Sequence, residues 1–162
     1  MRTVRHARRP VLAVAALLAA GGTTLAVIPA AAADQPLRLA TVAVPDRDTG
    51  LDLGAPGLSA GDTEVFLDDV QRRGQTVGTE AGSCTITSVS ASRLVAACTA
   101  TLLLPEGQLT FQGVNDENPA VGPTSFLWAV TGGTGRYAGA TGEVTGTFRP
   151  GTDTVDLNVR FR

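Results

Sequence analysis

From Thr63 onward, apolar and polar residues alternate with a period of two, the signature of half-buried strands and not of helices. TEVFLDDV (63–70), a polar turn at Gln71 to Gln75 and a run from Thr76 to Val89 predict a hairpin. Ser90 to Arg93 turns the chain again, and Leu94 to Leu104 returns as a long apolar strand. After Pro105-Glu106-Gly107, Leu109 and Phe111 alternate with Gln108, Thr110 and Gln112 over 108–113, and a loop is expected at 115–123. The last strand sets Val155, Leu157, Val159 and Phe161 against Asp156, Asn158, Arg160 and Arg162. With a first strand ended by Pro45, the candidates are 37–44, 63–70, 76–89, 94–104, 108–113, 124–131, 142–149 and 154–162. Short antiparallel strands joined by tight turns predict an all-β sandwich or up-and-down barrel, and eight strands is a number that closes.

Two segments depart from simple alternation. Around 124–131, Phe126, Trp128 and Val130 share one face while Leu127, Ala129 and Thr131 form the other. A strand apolar on both sides predicts cover on both, by a core within and by a neighbouring surface or subunit without. The stretch AVTGGTGRYAGATGEVTGTF (129–148) then carries five glycines, from Gly132 to Gly142, between two strands, as a tight reversal requires. It is not a phosphate loop: no Gly-Lys-Ser/Thr follows, and no helix opens after Gly135.

Pairing the strands about the turn at Ala91 sets Cys84 opposite Cys98. Directly opposed cysteines have the spacing of a disulfide, which an oxidising compartment permits. The other reading is a reduced pair, one of them nucleophilic, but the chain offers no histidine beyond His6 to activate a thiol.

Arg2, Arg5, Arg8 and Arg9, an apolar stretch from Val11 to Ile28 and Ala31-Ala32-Ala33 have the form of a secretion signal. Residues 1–33 are therefore expected to be removed, leaving 34–162 as one extracellular domain. Arg8-Arg9 also has a twin-arginine look, although general export is the expectation. Removal of the signal leaves nine arginines against fifteen acids, a formal charge of −6, which argues against nucleic acid and anionic membranes as partners. It also removes the sole histidine, and the chain has no lysine. A Ser-His-Asp triad, a histidine zinc site and a lysine Schiff base are thus excluded. Asp46, Asp48 and Asp52 read as a solvated loop, since their spacing is not that of a calcium loop. No metal or cofactor is expected.

GTEAGSC (78–84), LPEGQLTFQG (104–113) and VTGGTGRYAGATGEV (130–144) resemble the allene oxide cyclase-like barrels and, more distantly, the dirigent proteins. The resemblance spans Leu37 to Phe161 and implies an eight-stranded antiparallel barrel, often a homotrimer joined through outer faces. It places Ala43 where the plant cyclases carry a glutamate, and it matches Cys84 to a family cysteine.

A barrel of this size is filled by side chains or holds one small ligand. The leading expectation is a secreted barrel that binds a small apolar molecule, with Phe66, Phe111, Trp128 and Tyr137 as candidate wall residues. A cyclase or stereocontrolling protein that works by confinement is the second reading. Asp68 or Asp69 is then the carboxylate to examine. An extracellular interaction module with a filled core is the third.

Overall fold

The computed structural model describes residues 35–162; the expected signal lies outside them. Nine strands follow in order: β1 (Leu37–Val42), β2 (Thr49–Leu51), β3 (Thr63–Arg72), β4 (Gln75–Val89), β5 (Leu94–Leu104), β6 (Gly107–Glu117), β7 (Ser125–Gly133), β8 (Gly142–Phe148) and β9 (Thr154–Phe161). Every neighbour is antiparallel. β1 pairs with β9 on one side and β3 on the other, which closes the sheet into an eight-stave barrel.

β2 is the element that alternation does not predict. Thr49, Gly50 and Leu51 pair with Val65, Glu64 and Thr63, continuing along β3 where β1 stops. The first stave is therefore split. In the gap, the Leu67 N–H donates to the Asp48 carboxylate at 3.4 Å instead of to a backbone carbonyl. β6 also runs four residues beyond its expected end, because β5 is long enough to pair it through Leu94↔Glu117.

The Cys84–Cys98 disulfide is present, and the two residues face each other across β4 and β5. The hairpin itself closes on Val89↔Leu94, and the register then slips between Ile86 and Ser88. That bulge is why counting from Ala91 reaches the right pair. The β3–β4 hairpin turns on Arg73 and Gly74, both with positive φ, as a two-residue hairpin loop demands.

The barrel is packed at one end. Leu39, Val70, Leu102, Leu109, Val144 and Val159 fill it, and the glycine corner closes it. A 3-10 turn at Gly135–Tyr137 drops Tyr137 onto Phe161, with ring centroids 6.2 Å apart. The corner docks on the β5–β6 turn through Arg136 N–H to Glu106 O at 2.8 Å and Thr134 N–H to Gln108 O at 2.9 Å. A side chain at Gly107 or Gly135 would collide with the opposing backbone, and both have positive φ, so the contact requires glycine on each side.

Candidate functional site

The other end of the barrel is open. It holds a cavity of about 840 Å³ bounded by the loop 48–62, the β6–β7 connection and the inner faces of the staves. Three inward glycines make this room. Gly82 on β4 lies beneath Phe66 of β3, Gly113 on β6 beneath Trp128 of β7, and Gly146 on β8 beneath Phe126 of β7. A Cβ at any of them would overlap the ring above it. The rings consequently occupy the space over these glycines that side chains would otherwise fill. Phe126 and Trp128 stack at 4.1 Å, Phe148 meets Phe126 edge-on at 6.1 Å, and the indole N–H of Trp128 donates to Asn115 at 3.0 Å. The aromatic wall is therefore held in place from behind and from the side.

Across the barrel from the Phe126, Trp128 and Phe148 rings stand β3, which carries Phe66, and β4. They carry Asp68 and Glu80, directly opposite one another in register and both turned inward. Glu80 is only 6% exposed. Its burial, then the charge of Asp68, pushes its carboxyl up to about 7, with the Thr41 hydroxyl offsetting part of the rise. Burial also pushes Asp68 up to about 6, aided by the charges of Asp48, Glu64 and Asp69. One Asp68 oxygen, Oδ1, is buried without a hydrogen-bond partner. Near neutral pH the pair can hold a proton or release one, which is the property a general acid or base needs.

The sequence candidates separate by face and by height along the barrel. Phe66 and Trp128 line the cavity, whereas Phe111 is buried in the packed half. Tyr137 sits in the closing corner beside a second, smaller depression of about 470 Å³. Asp68 lies inside. Asp69 points outward, where it pairs with Arg47 at 3.1 Å. Ala43 follows β1 and donates its N–H to Asp153 O at 2.9 Å, and the two inward acids deep in the cavity, Asp68 and Glu80, come from β3 and β4. Among the described residues nothing covers the outer face of β7 at Leu127, which is 62% exposed.

Sequence reasoning missed the Phe126 and Phe148 rings and, of the two inner carboxyls, Glu80. For Glu80 a signal was present. Cys98 belongs to the more apolar face of 94–104, so its partner Cys84 faces inward, and Glu80 shares the parity of Cys84. Asp62 lines the cavity too, but its carboxylate accepts the backbone N–H groups of Leu53 at 3.0 Å and Ser59 at 2.7 Å. Those bonds hold it below the usual carboxylate range, and its task is to shape the loop over the mouth.

With this geometry, the chain belongs to the allene oxide cyclase barrel-like domain family, which it matches over residues 40–161. A pyocyanin demethylase has the same fold, with 27% identity, a TM-score of 0.69, and coverage of 78% of this chain and 99% of that one. The Diels-Alderase AbmU from Streptomyces koyangensis is 18% identical at a TM-score of 0.64, the match covering 78% of this chain and 63% of that protein. A pterocarpan synthase dirigent protein is 16% identical at 0.61, over 77% and 92% of the two chains. No curated protein sequence matches the chain.

Proposed function

We propose that this protein holds a small, largely apolar molecule in the open half of its barrel, with the Asp68 and Glu80 carboxyls against the polar end of that molecule. The observation that carries this reading is a cavity of about 840 Å³ with the Phe126, Trp128 and Phe148 rings on one side and two inward carboxyls beside Phe66 on the other. That combination of an apolar wall and a few convergent polar groups is the usual composition of a small-molecule site. The solved relatives, whose names include a demethylase, a Diels-Alderase and a dirigent protein, point the same way.

A second reading has its own support. Glu80, with its carboxyl pushed to about 7, can serve as a general acid toward a reactive intermediate folded within the cavity. Walls that fix one conformation and exclude water would do the rest. The filled-core module of the third expectation has only the packed half of the barrel in its favour. Secretion is supported by the leader pattern of residues 1–33 and by a disulfide suited to an oxidising compartment. Assembly through the outer face of β7 is supported by the exposed Leu127, and light scattering of the L127E variant against the wild type tests it.

Trp128 is the only tryptophan in the chain and it faces the cavity, so its fluorescence reports occupancy. Titration with terpenoid, fatty-acyl and aromatic compounds is expected to give a saturable change with at least one class. Ala96→Phe, which projects a ring into the cavity from β5, is expected to weaken it at least tenfold. A response that no class saturates, or that Ala96→Phe leaves intact, would sink the proposal.

A further inference from the structure

Charge is segregated at the open end. Three arginines surround the rim, and each is bound to an acid on the outer surface: Arg47 to Asp69, Arg93 to Asp116 and Arg149 to Asp156. None of them lines the cavity. Among the described residues the lining has seven acids and no basic residue. Asp48, Asp52 and Asp62 each accept a backbone N–H, from Leu67, from Gly57 and from Leu53 and Ser59 respectively, which leaves Glu64 and Glu117 around the mouth above Asp68 and Glu80. Among the described residues no cation neutralises the inner acids, and the buried Oδ1 of Asp68 has no hydrogen-bond partner there. Acids collected in a cleft with low-dielectric walls focus a negative potential into it. Phe66, Phe126 and Trp128 supply apolar surface beside these acids.

From this charge distribution and the ring geometry, we infer that the natural ligand is a cationic or protonatable hydrophobe, such as an aromatic or alicyclic amine, and that the cavity rejects carboxylates. The inference rests on the cavity being the ligand site. A carboxylate entering the cavity would lose water while facing like charge, with no arginine to receive it. An ammonium or N–H⁺ group would find acceptors on β3 and β4 while its apolar body lies against Phe66, Phe126 and Trp128 on the surrounding walls. The ligand class is set by groups already in place and requires no rearrangement of the barrel.

A matched series separates the charge from the apolar body. Biphenylmethylamine, biphenylmethanol and biphenylcarboxylate are titrated into the intact protein by calorimetry at about pH 8, where both inner carboxyls are ionised and the amine is protonated. The amine is expected to bind about tenfold more tightly than the alcohol, and the alcohol about tenfold more tightly than the carboxylate. In the D68N/E80Q variant the three affinities should converge to within about threefold. If the alcohol binds as well as the amine, or the carboxylate binds best, the charge inference is overturned while apolar binding stands. Retention of the full order by D68N/E80Q overturns the assignment to these two acids. If none of the three binds at any concentration, the cavity reading falls and the inference falls with it.

Discussion

Glu80→Gln should stabilise this protein at neutral and alkaline pH and do little in acid. The substitution keeps the shape of the side chain and its reach to Thr41 but removes a charge that the barrel interior resists. In the folded chain the Glu80 carboxyl is pushed from 4.5 up to about 7. At about 1.4 kcal/mol per tenfold change, that rise corresponds to roughly 3 kcal/mol of stability withheld once Glu80 is ionised. The sign follows from proton counting. Between the unfolded and folded values the native state binds more protons than the unfolded chain, so stability falls as pH rises through that window and levels off above it. Part of the effect is shared with Asp68, so about 2–3 kcal/mol is the expected gain for the variant near pH 8, shrinking toward zero near pH 4. Urea unfolding of both proteins across this range, with the disulfide intact, gives the difference directly. Taking the difference cancels Asp62, Glu106, Asp116 and Asp156, whose carboxyls are held low and whose stabilisation is lost in acid in both proteins. A difference that does not change with pH would refute the buried-acid assignment, and a destabilised variant at pH 8 would show that the carboxylate is favourably held.

Removing the disulfide by Cys84→Ala with Cys98→Ala should cost about 3 kcal/mol in urea unfolding, the usual value for so short a loop, and a cost below about 1 kcal/mol would show that the β4–β5 register is held by other means. Gly146→Val should drive the Phe126 ring off its seat into the lumen, destabilising the fold by about 1–3 kcal/mol and lowering affinity for any cavity ligand; an unchanged affinity would mean that the ring can relax elsewhere. Tyr137→Ala, at the closed end, should cost about 3–5 kcal/mol yet leave the emission of Trp128 unmoved, and a shifted emission would place Tyr137 in communication with the cavity.

The alternation of apolar and polar residues carries the barrel, because a closed sheet with one inner face imposes a period of two on every stave. It also puts Asp68 and Asp69 on opposite faces of β3, but Val65 and Leu67 make the parity of Asp69 as apolar as Phe66 and Val70 make that of Asp68, so which carboxylate turns inward is read only from the structure. What alternation cannot supply is height. Phe111 and Trp128 both turn inward, yet one is locked in the packed half and the other faces the cavity, and that difference depends on how the staves are staggered. The stagger arises in part from bulges at Val70/Gln71, Ile86/Ser88 and Thr110/Phe111, none of which has a local signature in these residues. β2 was hidden for another reason. Three residues are too few to alternate, and its place is held by the Asp48 side chain as well as by backbone pairing. Glu80 was legible only by carrying the parity of Cys84 four residues back along β4, a step that depends on the disulfide being correct.

The claim that the open half of the barrel is a binding site is tested most directly by native mass spectrometry of the protein purified from its own source without denaturation. The account predicts a discrete mass increment from one small molecule per chain, released on unfolding and absent from the Ala96→Phe variant prepared in the same way. Bare protein from the native source, or an increment that Ala96→Phe retains in full, would contradict it.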